Sequence, residues 1–177
     1  VALQPDGQVL IGGGFTTVNG VTRNRIARLN GSDGSLDTTF QASSGRGTIF
    51  SLALQPDGRV LIAGTFSTVN SVTRNRIARL NSDGSVDTSF QNGMSGVSGN
   101  TSGFGSVLAS VALQPNAQVL IGGRFTGVNG VTRFRIARLN TDGSLDAAFE
   151  NGPPGPDNDP VPGNNIVYSM TEQPDGK

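Results

Sequence analysis

The sequence contains no cysteine and no histidine. Without cysteine there is no disulfide, thiolate nucleophile or cysteine-ligated zinc, and without histidine the commonest general base and metal ligand is absent. Ser-His-Asp and Cys-His mechanisms are thereby excluded. Thirteen basic residues balance thirteen acidic ones, so the composition predicts no nucleic-acid partner. No apolar run is long enough to span a bilayer, which predicts no membrane-spanning segment.

What the sequence has in abundance is internal repetition, together with 26 glycines in 177 residues. Three sequence blocks recur in the same order in three copies, and in the first copy they read VALQPDGQVLIGGGF, VTRNRIARLN and DGSLDTTF. The glutamine of the first block returns at spacings of 51, 59 and 59 residues, at Gln4, Gln55, Gln114 and Gln173. Both ends of the chain fall inside a repeat, so we expect the chain to be part of a longer array of repeats.

Each repeat is predicted to form a four-stranded antiparallel meander. The QPDG segment of the middle copy has the proline, aspartate and glycine of a tight turn, and Ser82-Asp83-Gly84 forms a second turn of this kind. Apolar runs bounded by these turns predict strands in the middle copy at 49–55, 59–66, 74–81 and 85–90. Both faces of the second of these strands are apolar or small, so we expect it to be covered on both sides.

The second turn also predicts a set of ion pairs. A three-residue loop places Arg79 opposite Asp87, with a guanidinium–carboxylate distance of about 3 Å. The equivalent pairs in the other copies are Arg28 with Asp37 and Arg138 with Asp146. The other arginines of this block, Arg23 and Arg25 with their copies, are also interpreted as pairing with acidic side chains between strands, and the alternative is that they recognise a phosphate or sulfate.

Two features of the first hairpin concern glycine. Glycines within the second strand, such as Gly12, would let a neighbouring sheet approach closely. The third copy has Asn116-Ala117 where the others have Asp-Gly, so we expect Ala117 to adopt a positive φ at a cost of about 1 kcal/mol.

Tandem four-stranded units of this length predict an all-β fold, a β-propeller-like array of three four-stranded antiparallel blades. A parallel β-helix would need shorter rungs without hairpins. The predicted blades comprise residues 1–48, with an incomplete first strand, 49–106 and 107–165, and residues 166–177 begin a fourth blade with a strand at 166–173. Closed propellers have about 4–8 blades, so we expect this segment to belong to a longer array or an oligomer.

The pattern ALQPDG–VLIGG–F–VNG–RIARLN–DGSLD–F resembles the bacterial delta-sixty repeat, a tandem propeller-like repeat found in large surface or secreted proteins. The resemblance covers all three copies. Departures from the pattern are Asn116-Ala117, Ser71 in place of glycine and Phe134 in place of asparagine. The resemblance implies an extracellular or cell-surface location, and it brings no catalytic residue and no cofactor.

Two acidic segments are candidate calcium sites. Asn81, Asp83 and Asp87 offer side-chain oxygens at alternating positions, but this segment lacks the bidentate glutamate that completes an EF-hand loop. A hairpin turn followed by an arginine-paired aspartate accounts for the same residues. Asp157 and Asp159, in a proline-rich segment, are the second candidate, and no other cofactor is predicted.

The connectors between repeats differ most among the copies. Phe90 to Ala112 spans 22 positions, against 13 from Phe40 to Ala53, and the longer connectors at 91–106 and 150–165 have the composition of surface loops. These connectors and the segment at 67–73 are expected to emerge on one face, opposite the tight turns, and to form a binding surface there. The candidate binding residues are Gln91, Asn92, Phe104, Asn151, Asp157 and Asp159.

Three hypotheses about function follow. The first is a non-catalytic extracellular module, a structural scaffold or an adhesion module that recognises protein or glycan through its long loops. The second is a carboxylate-dependent carbohydrate-active enzyme, since aspartate and glutamate suffice for glycoside hydrolysis, although no spacing indicates a catalytic pair. The third is a mechanical spacer or filament subunit. The expected partners are a protein or glycan ligand, or further copies of the same repeat.

Overall fold

The computed structural model describes residues 1–99, 107–149 and 166–171. The regular secondary structure in these residues is β-strand, and the strands pair in antiparallel fashion in several small sheets. The all-β prediction is therefore confirmed. Among the described residues, no helix has the length and apolar character needed to cross a membrane.

Each repeat has five short strands. In the first repeat these are β1 (Ala2–Leu3), β2 (Val9–Gly12), β3 (Thr17–Val18), β4 (Val21–Thr22) and β5 (Ile26–Leu29). In the second they are β6 (Ile49–Leu54), β7 (Val60–Gly64), β8 (Thr68–Val69), β9 (Val72–Thr73) and β10 (Ile77–Leu80). A connector strand, β11 (Val97–Ser98), precedes β12 (Val107–Leu113), β13 (Val119–Arg124), β14 (Gly127–Val128), β15 (Val131–Thr132) and β16 (Ile136–Leu139).

The main sheet of every repeat has three strands with the second strand in the centre. The strand orders are β1-β2-β5, β6-β7-β10 and β12-β13-β16. In each case the tight QPDG or QPNA turn joins the first two strands. The three main sheets therefore have the same topology, as the sequence repeat predicts. The short third and fourth strands form a separate hairpin, and in the third repeat this hairpin also pairs with β11.

The strand predicted at 85–90 does not form. Only one bridge pairs Val86 with Leu80, because the chain turns away directly afterwards. Asp87 Oδ1 accepts hydrogen bonds from the Ser89 amide at 2.9 Å and the Ser89 hydroxyl at 2.6 Å, and such local side-chain bonds compete with a strand ladder. The fourth strand of each predicted blade is thus reduced to a single bridge, and the other repeats show the same bridge at Leu29–Leu36 and Leu139–Leu145.

The segment between the second and third predicted strands is a hairpin that folds back along the sheet. In the second repeat β8 and β9 are joined by Asn70 and Ser71, with φ of 46° and 65°, as a two-residue type I′ turn requires. Asn70 Nδ2 donates to the Gly84 carbonyl at 3.0 Å, which brings the hairpin tip to the tight turn at 82–84. The prediction that this segment lies opposite the tight turns is therefore wrong for its tip at Asn70 and Ser71.

The hydrophobic core lies between successive repeats. Val60, Leu61, Ile62 and Ala63 of β7 are all 0% exposed, which confirms that this strand is covered on both sides. Val60 and Ile62 pack in a cluster shared with the first repeat, whereas Leu61 and Ala63 pack in a cluster shared with the third. Because side chains alternate along a strand, one strand serves two interfaces, and the repeats stack face on face.

Close approach between repeats is visible at Gly12. A Cβ atom placed on Gly12 would lie 2.7 Å from Ile49 Cγ2 in the first strand of the next repeat. Only glycine leaves room for this contact, as the sequence predicts.

Residues 166–171 pack on the third repeat without forming a strand. The Val167 amide donates to the Gly123 carbonyl at 3.3 Å, just as the Ile49 amide donates to the Gly13 carbonyl at 3.2 Å. The segment therefore occupies the position of the next repeat's first strand, although no strand partner lies beside it in the described part of the chain. The strand predicted at 166–173 is not observed over 166–171, and its last two positions lie outside the described residues.

Ala117 has a φ of 63°, the left-handed backbone expected from its place in the turn. We predict that Ala117→Gly will raise the free energy of unfolding by about 0.5–1 kcal/mol, because glycine adopts this conformation without strain. Urea denaturation measures the change. The matched control is Gly58→Ala, at the equivalent position with a φ of 81°, which should lower stability by about 1–2 kcal/mol. Equal signs for the two substitutions would contradict the strain argument.

Candidate functional site

A cluster of arginine, aspartate and phenylalanine recurs in every repeat. In the second repeat, Arg79 Nε lies 2.8 Å from Asp87 Oδ2, and the guanidinium carbon lies 4.8 Å from the centroid of the Phe90 ring. The equivalent N–O distances in the first and third repeats are 2.7 and 2.8 Å, in the clusters Arg28–Asp37–Phe40 and Arg138–Asp146–Phe149. These are the distances that the hairpin register predicts. We refer to these three groups as the Arg–Asp–Phe clusters.

The aspartate of each cluster is saturated with hydrogen bonds from the protein. Besides its bonds to Ser89 and Arg79, Asp87 Oδ2 lies 3.2 Å from Arg59 Nη1. In the other repeats a glutamine at the same position replaces this arginine, with Gln8 at 3.0 Å from Asp37 and Gln118 at 2.9 Å from Asp146. No oxygen of Asp87 is thus left without a protein donor.

These contacts determine the acidity of the buried aspartates. Burial of the Asp87 carboxyl raises its pKa, but the hydrogen bonds from Ser89 and the Arg79 guanidinium outweigh burial and lower the pKa to about 2. For Asp37, burial likewise raises the pKa, and the hydrogen bonds from Thr39 and Arg28 lower it to about 2. Both groups are therefore ionised throughout the physiological range, as partners of a buried arginine must be.

The clusters also connect one repeat to the next. Arg28 Nη1 donates to the Ser82 carbonyl at 2.7 Å, and Arg79 Nη1 donates to the Thr141 carbonyl at 2.6 Å. Both carbonyls belong to the tight turn of the following repeat. Each arginine thus bonds an aspartate of its own repeat and the backbone of its neighbour, a planar fork geometry that lysine cannot reproduce.

The calcium candidate in the second repeat consists of side chains that are bonded to the protein. Asn81 Nδ2 donates to Ser85 Oγ at 2.9 Å, and Asp83 Oδ1 accepts from the amide and hydroxyl of Ser85 at 2.8 and 2.7 Å. Within the described ranges, no three acidic, histidine or cysteine side chains are grouped as metal ligands would be. Calcium binding stays a prediction that these contacts do not favour, and Asp157 and Asp159 lie outside the described residues.

The predicted binding residues of the connector have different environments. Gln91 is 2% exposed, its amide donates to the Asp142 carbonyl at 2.8 Å and its side chain to the Gly143 carbonyl at 2.6 Å. The prediction of a ligand contact is therefore wrong for Gln91, which fastens the connector to the tight turn of the third repeat. The prediction that this connector emerges opposite the tight turns is wrong at this point as well. Asn92 is exposed. The remaining candidates, Phe104, Asn151, Asp157 and Asp159, lie outside the described residues.

The extra length of this connector is divided between two places. Val97 pairs with Val128 as Ser44 bridges to Val69 in the previous connector. Phe90 is seven positions before Val97, but Phe40 is only four before Ser44, so three extra residues precede the docking point. They form an exposed turn around Asn92, and the other extra residues follow Ser98.

Three equivalent arginines do not pair with carboxylates, contrary to the prediction. Arg23, Arg74 and Arg133 each donate from Nη1 to the carbonyl of the preceding threonine, at 2.9, 2.8 and 2.9 Å. Their Nε atoms are buried and have no hydrogen-bond partner. None of the ion pairs formed among the described residues involves these three side chains. Each guanidinium is held in place by its own backbone.

A second set of arginines adopts strained backbone conformations. Arg25, Arg76 and Arg135 have φ of 68°, 69° and 65°, which costs a non-glycine residue about 1–2 kcal/mol. Arg25 Nε donates to the Gly47 carbonyl at 2.7 Å, and Arg76 Nη1 donates to the Val97 carbonyl at 2.8 Å. The strained backbone thus directs these side chains to the connector that leads into the next repeat.

Charge is segregated between the two ends of the sheets. The tight-turn end carries the exposed turn aspartates, Asp6, Asp33, Asp57, Asp83 and Asp142. At the opposite end β7 terminates at Gly64, whose amide bonds the Arg76 carbonyl, and the Arg74 amide bonds the Ser67 carbonyl. We call this the arginine end, and its members are Arg23, Arg25, Arg46, Arg74, Arg76, Arg124, Arg133 and Arg135.

Comparison with known proteins agrees with the repeat boundaries. A family model described as a β-propeller domain of unknown function (DUF5122) matches residues 4–40, 55–90 and 114–149. No curated protein and no solved structure matches the chain. Each matched segment starts at the glutamine of the tight turn and ends at the phenylalanine of an Arg–Asp–Phe cluster, and together they cover more than half of the chain. The chain therefore belongs to this β-propeller repeat family and contributes three blades.

Proposed function

We propose that the chain is a non-catalytic module of the delta-sixty type, located at the cell surface or outside the cell. It serves as a rigid scaffold that recognises a protein or glycan partner through the connectors between its blades. The observation that carries this proposal is the contrast between constant interfaces and variable connectors. The two inter-repeat cores are built from equivalent residues, whereas the connectors differ in length and sequence.

The state of the carboxylates supports a non-catalytic role. A glycosidase of the alternative hypothesis needs a general acid with a raised pKa. Every resolved pKa shift among the described aspartates is downward, including those of Asp83 and Asp142, whose carboxylates accept hydrogen bonds from Ser85 and Ser144. The buried aspartates are engaged with arginine and hydroxyl donors, so they hold the fold together.

The proposal is tested with the intact chain on a glycan array and in pull-downs from extracellular proteins. We expect a binder, and we expect its signal to fall when residues 92–94 are deleted, which shortens the exposed turn to the length of the first connector. Asp57→Asn, in the turn between β6 and β7, is the control. A blank screen, or binding that the deletion leaves unchanged, would contradict recognition through this connector. Release of reducing ends from a bound polysaccharide would favour the enzyme instead.

A further inference from the structure

The arginine end is a repeated, positively charged surface, and three of its arginines, Arg23, Arg74 and Arg133, form no ion pair among the described residues. Arg23, Arg74 and Arg133 recur once per blade, and each makes a single side-chain hydrogen bond among the described residues. Arg46 is exposed beside the first interface between repeats. The described aspartates lie toward the tight turns at the other end. Among the described residues, positive and negative charges are therefore separated along the strands.

The three repeated guanidinium groups are pre-organised to bind an anion. In each, the bond from Nη1 to the preceding carbonyl and the burial of Nε fix the plane of the group. Arginine's remaining donors suit a pair of oxygens of a carboxylate or sulfate group. Ordering a long side chain before binding reduces the entropic cost that binding would otherwise carry.

The same end also exposes aromatic rings. Phe50, the extra residue in the β-bulge between Ile49 and Ser51, is 54% exposed, and it lies next to the end of β7 at Gly64. Tyr168 occupies the corresponding position in the segment that packs on the third blade, one residue after Val167, and is 76% exposed. Exposed rings of this kind pack against the apolar faces of sugar rings, as amphipathic aromatic side chains do at wet interfaces.

We propose that the arginine end binds a linear anionic polysaccharide, with carboxylate or sulfate groups on the repeated arginines and sugar rings against Phe50 and Tyr168. This goes beyond the proposed function, because it assigns a ligand class to a surface distinct from the exposed turn around Asn92. One cation per blade matches a ligand that repeats its charge along a chain. A polysaccharide is favoured over duplex DNA because the exposed rings of Phe50 and Tyr168 suit the apolar faces of sugars, whereas the bases of a duplex are stacked on one another.

The experiment measures binding of the intact chain by affinity electrophoresis in gels containing polygalacturonate, dextran sulfate or uncharged dextran. We expect retardation by at least one charged polymer, none by dextran, and weaker retardation as salt rises. Arg74→Gln should weaken binding about threefold to tenfold, and the triple variant Arg23→Gln/Arg74→Gln/Arg133→Gln should abolish it. Arg59→Gln removes the same charge from the tight-turn end of the same blade and should leave binding unchanged within about twofold.

Several results would overturn the proposal. One is an equal loss of binding for Arg74→Gln and Arg59→Gln, and another is retardation by uncharged dextran. Tighter binding to double-stranded DNA than to either charged polymer, or no retardation in any gel, would also overturn it. Thermal unfolding of each variant establishes that it is folded. The decrease of retardation with rising salt is measured on the unsubstituted chain, so this part of the test does not depend on the folding of any variant. A positive pull-down of a protein, combined with no retardation, would contradict the polysaccharide proposal but agree with the proposed recognition module.

Discussion

Replacement of Asp87 by asparagine is expected to lower the free energy of unfolding by about 3–5 kcal/mol. The substitution keeps the shape of the side chain but removes the charge that faces Arg79, whose side chain is only 7% exposed. A buried guanidinium without a counter-charge loses its Coulomb attraction without recovering its hydration. Because Arg79 also bonds the Thr141 carbonyl, the loss should loosen the second blade from the third. Urea denaturation of the intact chain measures the change.

Asp57→Asn is the matched control for this experiment. Asp57 also lies beside an arginine, at 3.4 Å from Arg59 Nε, but both side chains are exposed, and asparagine can still accept the hydrogen bond from the Arg59 amide. We expect a change within about 0.5 kcal/mol, as for exposed ion pairs in general. If the two substitutions cost the same, the buried cluster has no special role in stability.

The effect of Asp87→Asn should depend on pH in a defined direction. The pKa of Asp87 is about 2 in the folded chain against 3.8 ordinarily. Between these two pH values the unfolded chain therefore binds more protons than the folded chain. The stabilisation is fully present above about pH 4 and is lost as the pH falls through the folded pKa. The difference between the unsubstituted chain and the variant should therefore narrow from about pH 4 to about pH 2. A difference that stays constant would show that the charge of Asp87 does not matter.

Replacement of Leu61 by alanine is expected to cost about 3 kcal/mol, because it leaves a cavity in the core between the second and third blades. Leu61 is 0% exposed and belongs to the cluster that includes residues of both blades. The matched control is Leu120→Ala at the equivalent position of the third blade. Leu120 is only half-buried, so the loss there should be about half as large or less.

This comparison separates packing between blades from packing within a blade. The two leucines have the same neighbours in their own sheets, since Leu61 pairs with Arg79 and Leu120 with Arg138. Urea denaturation of both variants under the same conditions gives the two losses. Equal losses would indicate that each blade has its own core, and would contradict the stacking of blades through shared clusters.

The sequence predicted those features that depend on local register. The apolar or small side chains on both faces of 59–66 identified β7 as a strand covered on both sides, and the three-residue turn placed Arg79 beside Asp87. Both depend only on residues near one another in the chain, so the repeat and the turn chemistry suffice to predict them. Ala117 at positive φ follows from the same kind of argument.

The hairpin of β8 and β9 was missed although its signal was present. Asn-Gly between valines, at Asn19 and Asn129, is typical of a type I′ turn, and the serine at Ser71 weakens that signal in the middle copy. The absence of the fourth strand has a local cause as well, because the hydrogen bonds from Ser89 to Asp87 compete with the hydrogen bonds of a strand pair.

Other features of the candidate site depend on stacking and could not be predicted from one repeat. Gln91 has the composition and position of a surface loop residue, and it is buried only because the turn at Asp142 and Gly143 of the next blade lies against it. The bond from Arg28 to the Ser82 carbonyl has the same origin. Charge segregation at the arginine end likewise follows from which strand ends lie together, and net charge conceals it.

A high-resolution crystal structure of the chain tests most directly whether the Arg–Asp–Phe clusters link successive blades. The decisive quantities are the distances from Arg28 Nη1 to the Ser82 carbonyl and from Arg79 Nη1 to the Thr141 carbonyl, which should be close to 2.7 and 2.6 Å. Arginines that keep their aspartate partners but lie beyond hydrogen-bonding distance of both carbonyls would contradict the account, because each cluster would then stabilise only its own blade.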